Sequence, residues 1–342
     1  MEKTAEDKQR IHQFDFIKGL AIIAVLFDHT NPPIKAYYHY TMGQIMPMFI
    51  IVSYLLCNMS LSKDDSIRNY FKPKRVKNFF SRIFLPFIFA QIVIVIIYVI
   101  LNKFSLRFFI QTGGYGPGTH FPWSYLQLWV IMPFLYYLMK KNFFFGFFVS
   151  LIISVAVNIV CSIFSSPELL PFSFVHINKT TIYAMYRLCA SRYLFLFPFV
   201  YLLFEKKIKY KYLIPLGVLS AAYIYISGCT NISLEPFVYN SDYAYGTWQI
   251  MEYPSVFFSI LVFIFLYKIY DFIPNIIQKV INKIGEKSWE IFCVQVVYYA
   301  MVERQNMNYL LYVIISLLVC ILSVFMYDFM KKQLGKKTTR GS

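Results

Sequence analysis

The residues best suited to chemistry near the N-terminus lie in the segment FDFIKGLAIIAVLFDHT, at positions 14–30. His29 follows Lys18 by eleven residues, and this spacing leaves the two about 20° apart on one face of an α-helix. Imidazole titrates near neutrality and is the most common general base, so His29 is a candidate catalytic residue. Asp28, about 100° from His29, is a candidate orienting carboxylate. The alternative is a histidine that only occupies a membrane interface.

Basic residues inside apolar segments could bind an anionic ligand. Arg75 and Arg82 are seven residues apart, and they share a helix face if the helix extends back to Arg75. Arg192 lies deeper in an apolar run, and Lys18 lies at the start of the His29 face. Because guanidinium groups bind phosphate oxygens bidentately, we predict that these four residues bind a phosphate-bearing molecule. The alternative is snorkelling to lipid phosphates or a structural role.

Other polar residues are candidates for binding a second substrate. Gln295 follows Ser288 by seven residues, so the two share a helix face, and Glu290 lies near the start of the same helix. Aromatic and polar side chains also fill the predicted outer loops, where they could form a floor for a sugar or could only anchor the chain in the headgroup region. We assign this binding role to Trp123, Gln127, Glu290 and Gln295.

The elements that must position these residues are membrane helices. The chain has 342 residues, of which 58% are hydrophobic and 15% are charged, whereas a soluble domain has roughly 25% charged residues. Recurring apolar runs predict an all-α integral membrane protein with about ten transmembrane helices in one bundle. The predicted spans are 14–31, 43–60, 79–101, 122–139, 143–164, 185–204, 212–228, 254–271, 288–303 and 309–328.

The distribution of charge predicts the orientation. The formal net charge is +16, and 24 of the 33 Lys and Arg residues fall on the side that carries both termini, against six on the other side and three within spans. The positive-inside rule therefore predicts that both termini are cytoplasmic. Topology and anionic headgroups account for the basic excess, so we expect no nucleic-acid partner. The six cysteines form no CxxC or Cys/His cluster, and we expect no metal site.

We find no repeat or linker, so residues 1–342 are predicted to form a single domain, with a core at about 14–330 and a basic cytoplasmic tail at 331–342. The oligomeric state stays open, and a homodimer is compatible with the sequence.

Ordered motifs resemble the membrane-bound acyltransferase family 3, which includes sugar O-acetylases. Asp15, Lys18, Gly19 and His29 fill the places of its first-helix signature. Similar segments follow in order, ending with IGEKSWEIFCVQ, in which Gln295 replaces the usual late histidine. The others are MPMFIIVSYLL, with Tyr54 in place of the usual glycine, SRIFLP, PWSYLQLWVIMPFL and ASRYLFLFPFVYLL.

The resemblance implies transfer of an acyl group, commonly acetyl, from cytoplasmic acyl-CoA to a hydroxyl of an extracytoplasmic or lipid-linked glycan. His29 would act as general base or as transient acyl acceptor, with acyl-CoA as co-substrate and no tightly bound cofactor. It implies a multi-pass protein of the bacterial cytoplasmic membrane that modifies a cell-envelope polysaccharide. Two alternatives stay open: a transporter or flippase for a polar or lipid-linked substrate, and a non-catalytic member of the fold, which the missing late histidine would suit.

Overall fold

A computed structural model describes residues 11–30, 35–63, 66–165, 188–206, 208–229, 255–302 and 308–338. All regular secondary structure in these ranges is helical, as predicted. A π-helical turn lies at Phe80–Phe84. The α-helices are α1 (His12–Asp28), α2 (Lys35–Lys63), α3 (Ile67–Tyr70), α4 (Pro73–Phe79), α5 (Leu85–Ile100), α6 (Leu106–Thr112), α7 (His120–Lys141), α8 (Phe143–Ser165), α9 (Leu196–Phe204), α10 (Ile214–Cys229), α11 (Ser255–Ile269), α12 (Asn275–Glu286), α13 (Ser288–Met301) and α14 (Tyr309–Thr338).

Four segments among the described residues are long and apolar enough to cross a membrane, which supports the membrane class. They are Gln44–Ser62, Pro73–Ile100, Ser255–Phe272 and Tyr309–Met330. Two shorter apolar helical segments cover Phe143–Val157 and Tyr210–Ile226. The count of ten spans and the cytoplasmic location of both termini stay predictions.

The sixth predicted span, 185–204, is not one continuous helix in its described part. A 3-10 turn at Ala190–Tyr193 is followed by the nine residues of α9, which extend about 14 Å, half the thickness of a hydrocarbon core. Pro198 explains this start, because proline is tolerated in the first turn of a helix and clashes with the preceding turn when it lies further inside.

Apolar side chains cover the outer surface of the helices. Phe89 on α5, Phe144 on α8 and Leu310 on α14 are 67%, 69% and 65% exposed. Exposed apolar area on this scale would be unfavourable in water and is expected where helices face lipid tails.

Helix α1 lies inside the bundle and contacts α2, α11, α12, α13 and α14. Its closest crossing is with α12, at Gly19 and Gly285. A methyl group on Gly285 would collide with the carbonyl oxygen of Asp15, and one on Gly19 would collide with the carbonyl oxygen of Ile281. The two helices can approach this closely only because both positions lack a side chain.

Candidate functional site

One side of α1 carries Lys18 near the start of the helix and His29 at its end. Lys18 forms a salt bridge of 2.8 Å with Asp15, and the buried side chains of Ile22 and Val25 follow on the same side. His29 caps the C-terminal end of α1, where its backbone N–H donates to the carbonyl oxygen of Val25. The imidazole is therefore placed where α1 ends, about 16 Å along the axis from Lys18.

An aromatic contact with α13 supports the position of His29. The ring centroids of His29 and Tyr299 are 5.8 Å apart in an edge-to-face arrangement. The hydroxyl of Tyr299 donates a hydrogen bond of 2.7 Å to the carbonyl oxygen of Leu26, in the last turn of α1. Tyr299 thus ties the end of α1 to α13 beside the imidazole.

Asp28 is buried and contacts α2. Its Oδ1 accepts a hydrogen bond of 3.0 Å from the hydroxyl of Thr41. This contact directs the carboxylate toward α2, in accord with the angle of about 100° between Asp28 and His29 on an ideal helix. The role of Asp28 as an orienter of His29 stays a prediction.

A glycine-rich loop, Gly113–Gly118, lies against His29. A Cβ atom placed on Gly118 would lie 3.8 Å from Nε2 of His29 and 3.1 Å from the ring of Phe292. The four glycines of the loop have φ values of 73°, 134°, 95° and 79°, a region that residues with a side chain rarely adopt. The composition of the loop therefore lets its backbone approach the imidazole closely.

Two glutamines and a tryptophan hold this loop. The amide of Gln91, buried in α5, donates to the carbonyl oxygen of Tyr115 at 3.0 Å and accepts from its N–H at 2.7 Å. Trp123 Nε1 donates to the carbonyl oxygen of Gly113 at 2.7 Å. Gln295 Nε2 lies 3.5 Å from the carbonyl oxygen of Pro117. Helices α5, α7 and α13 therefore fix the loop at three separate points.

Gln295 is fully buried at the same loop. Its Oε1 finds no hydrogen-bond partner among the described residues, although buried amide oxygens are usually paired. The residue that departs from the family signature thus lies against the loop that also contacts His29, and it presents a buried acceptor there.

A cavity of about 40 Å³ lies beside α1 on the Lys18 side of His29. Ile22 and Val25 line it from α1, at about 10 Å and 6 Å from His29 along the helix axis. Phe292 lines it from α13 and also packs against Gly118. The remaining lining residues are Met46, Phe49, Phe121, Ser288 and Trp289. The ring of Phe292 therefore lies between the cavity and Gly118 of the loop.

The candidate phosphate-binding residues have different surroundings. Arg75 is half-buried, with its guanidinium 3.9 Å from the ring centroid of Tyr70 and donating to the Ser60 hydroxyl at 2.7 Å. Arg82 is exposed in the π turn, and Trp289 of the cavity donates a hydrogen bond of 2.9 Å to the carbonyl oxygen of the next residue, Ile83. The side chain of Arg192 lies outside the described residues. Of Arg75 and Arg82, whose side chains are described, Arg82 is the one whose neighbour Ile83 is bonded to a residue of the cavity.

Two candidate substrate-binding residues make contacts elsewhere. Gln127 donates to the carbonyl oxygen of Leu188 at 2.8 Å and accepts from the N–H of Ala190 at 3.0 Å, so it holds the segment before α9. Glu290 is exposed and lies 3.4 Å from Lys287. Lys287 also forms an ion pair of 2.6 Å with Asp328, and the hydrogen bond to that carboxylate raises the pKa of Lys287.

The structure brings His29, Trp123 and Gln295 to one loop, whereas Arg75, Gln127 and Glu290 contact other parts of the chain. Sequence reasoning missed Gln91, Tyr299 and the loop glycines as parts of the site. The available signals were a glutamine inside the apolar run FAQIVIVII and four glycines within GGYGPG. Among the described residues, no group of three His, Cys, Asp or Glu side chains could hold a metal ion.

Comparison with known families identifies the chain. The model of the acyltransferase domain, family 3, matches residues 11–328. The chain belongs to this acyltransferase family. The match extends from the residue before α1 into α14, so it includes every element of the site around His29. No curated protein and no solved structure gives a significant match. Membership of the acyltransferase family indicates membrane acyltransferase activity.

Proposed function

We propose that this acyltransferase moves an acetyl group from acyl-CoA to a hydroxyl of a glycan or of another acceptor. The acyl-CoA is on the side of the membrane that carries most Lys and Arg residues, predicted to be the cytoplasm, and the acceptor is on the opposite side. The observation that supports this proposal most directly is the position of the cavity. It lies on the His29 side of α1, between Lys18 at one end of the helix and His29 at the other.

The donor is proposed to enter near Arg82. This guanidinium is exposed and can bind the phosphates of CoA bidentately. The hydrogen bond between Trp289 and the carbonyl oxygen of Ile83 joins that region to the cavity. Ile22, Val25 and Phe292 line this cavity, and the acyl group is proposed to extend from it toward His29. Lys18 is a second candidate contact for the donor at the start of the same face.

The proposed chemistry uses the imidazole as a base. His29 takes the proton of the acceptor hydroxyl while the hydroxyl oxygen attacks the thioester carbonyl carbon. The carbon–sulfur bond then breaks, CoA leaves as a thiol after taking up the proton, and an ester is formed. In the other route the imidazole itself carries the acetyl group, and the acceptor oxygen displaces it in a second step. Both routes require a neutral His29 at the start.

The acceptor is proposed to bind at the glycine-rich loop. Trp123 provides partly exposed aromatic surface at this loop, and Gln295 provides a buried amide oxygen that could accept a hydrogen bond from a sugar hydroxyl. An aromatic surface combined with a few placed polar groups is typical of small-molecule sites.

The experiment measures CoA release and acetyl transfer in proteoliposomes, with radiolabelled acetyl-CoA as donor and lipid-linked glycans as acceptors. We expect His29→Ala to lose at least about a hundredfold in rate, because general-base catalysis contributes roughly 10²–10⁴-fold. His12→Ala is the matched control, since His12 is exposed at the other end of α1.

Equal rates for wild type and His29→Ala would show that His29 is not catalytic. Acetyl-CoA binding without CoA release would favour a non-catalytic member of the fold. Movement of a polar substrate across the bilayer without CoA consumption would favour the transporter alternative.

A further inference from the structure

Helix α12 has three distinct sides. Its packed side carries the buried residues Asn282 and Gly285. A second side is apolar and exposed, with Ile276 71%, Val280 53% and Ile277 48% exposed. The third side carries the exposed lysines Lys279 and Lys283 together with Glu286. At about 100° per residue, the exposed apolar and charged residues form adjacent stripes along the helix.

The packed side of α12 fixes the orientation of the other two. Gly285 is in direct contact with the backbone of α1 at Asp15. Asn282 Nδ2 donates to the hydroxyl of Tyr270 at 3.0 Å, and Gln278 Nε2 donates to the carbonyl oxygen of Tyr270 at 2.8 Å. Because these contacts tie α12 both to α1 and to the end of the Ser255–Phe272 span, the helix cannot turn its apolar stripe toward the protein.

The position and length of α12 exclude a membrane-spanning role. Its 12 residues extend about 18 Å, which is less than a hydrocarbon core of about 30 Å. It begins three residues after a candidate span ends at Phe272, a residue that is 85% exposed. The helix is therefore held at the membrane boundary, where exposed isoleucine and valine can enter the acyl-chain region while the lysines stay at headgroup level.

We propose that α12 is an interfacial helix that binds anionic phospholipid. Ile276, Ile277 and Val280 insert into the boundary of the acyl chains, and Lys279 and Lys283 bind lipid phosphates. The basic charge of this stripe complements an anionic leaflet, to which each nearby lysine contributes attraction. Because α12 crosses α1 at Gly19 and Gly285, bound lipid also holds the helix that carries His29. This surface does not depend on acyl transfer.

The test uses the full-length chain in nanodiscs of phosphatidylcholine alone or mixed with phosphatidylglycerol. We expect phosphatidylglycerol to raise the thermal unfolding midpoint of the wild type, and high salt to reduce this rise. The double variant Lys279→Gln/Lys283→Gln should lose most of the rise. The matched control is Lys206→Gln/Lys209→Gln, which removes the same charge from exposed positions between α9 and α10 and should keep it.

Mass spectrometry of phosphatidylglycerol retained by the purified variants measures binding separately from stability. The proposal is overturned if phosphatidylglycerol gives no shift for the wild type, or if the control pair loses as much shift and retained lipid as the α12 pair.

The apolar stripe is tested with Ile276→Gln. In a bilayer this change should lower the unfolding midpoint, because a polar group replaces one that is inserted among acyl chains. On a helix side that faces water the same change would be close to neutral. An unchanged midpoint in nanodiscs would place the stripe in water and contradict the proposal.

Discussion

Gln91 shows how one side chain positions the backbone beside His29. Its amide forms both a donor and an acceptor contact with Tyr115, so one residue fixes the middle of a loop whose glycines would otherwise permit many conformations. Composition indicates that a glutamine inside an apolar run needs a partner. It does not indicate which backbone atoms supply that partner, because they come from a loop 24 residues further along the chain.

Replacement of Gln91 by Leu should therefore impair the site as well as the fold. It leaves the buried N–H and carbonyl of Tyr115 unpaired, at a cost of about 1–3 kcal/mol for each group. Gln278→Leu is the control, since Gln278 also makes two hydrogen bonds to backbone, at Tyr270 and Ile273, and has no proposed role in the site. Both variants should lower the unfolding midpoint in detergent. Only Gln91→Leu should lower transfer per folded molecule, and equal activity losses would contradict a positioning role.

The donor contact can be tested by the change from arginine to glutamine, made at Arg82 as the test and at Arg107 as the control. Both are exposed, but only Arg82 adjoins the residue bonded to Trp289. We expect Arg82→Gln to raise the KM for acetyl-CoA about tenfold, as loss of one charge-assisted contact would do, with little change in acceptor use. Arg107→Gln should leave this KM unchanged. An unchanged KM for Arg82→Gln would remove Arg82 from the donor site.

At the scale of elements, the crossing of α1 and α12 gives a physical reason for two glycines that the family signatures contain. Gly19 belongs to the first-helix motif and Gly285 to the terminal motif, and the structure places them against each other's helix backbone. The resemblance to the family motifs included each position separately, Gly19 in FDFIKGL and Gly285 in IGEKSWEIFCVQ. Their contact could not be predicted, because an i, i+3 or i, i+4 pattern describes one helix and carries no information about its distant neighbour.

Gly285→Ala should therefore destabilise the chain by about 1–3 kcal/mol, the usual cost of overpacking. Gly217→Ala is the milder comparison, because its methyl group would meet side-chain atoms of Leu261 at 2.8 Å, whereas the one on Gly285 would meet a backbone carbonyl oxygen at a much shorter distance. Gly217→Ala should cost less than Gly285→Ala, since the helix preference of alanine over glycine, about 1 kcal/mol, offsets part of its overpacking. Unfolding midpoints in detergent measure the difference, and equal effects would mean that the α1–α12 contact can relax.

The sequence was sufficient to predict membrane helices, but it did not predict where some of these helices are interrupted. Continuous apolar runs predicted the all-helical membrane class, which four candidate spans support. The helix that contains Arg82 does extend back to Arg75, which was the condition for their common face. The break before α9 and the π turn depend on local winding, which hydrophobicity does not encode. Because the π turn changes the winding between Arg75 and Arg82, the two side chains have different surroundings although one common face was expected for them.

At the scale of the whole molecule, charge asymmetry predicts the topology that the proposed reaction needs. A donor from the cytoplasm and an acceptor outside require that the Arg82 region and the glycine-rich loop lie on opposite sides. The 24 Lys and Arg residues assigned to the side of the termini support this arrangement.

Reporter fusions test the orientation. Green fluorescent protein fused after residue 338 should fluoresce, and alkaline phosphatase at the same place should be inactive, because the first folds in the cytoplasm and the second outside it. Reporters fused before residue 11 should behave identically. An active phosphatase at either end would contradict the predicted even number of spans or its orientation.

The π turn at Phe80–Phe84 also has a consequence for insertions and deletions in this chain. A π turn contains one residue more than α-helical winding requires, and it is tolerated inside a continuous helix. Deletion of Ser81 would remove that extra residue and let the segment wind as an ordinary α-helix, with α4 and α5 close to their present alignment. Deletion of a residue inside α5 would instead rotate the preceding part of the helix by about 100° relative to the rest. The π turn is thus the place where this helix can lose one residue while Arg75 stays beside Tyr70 and Ser60.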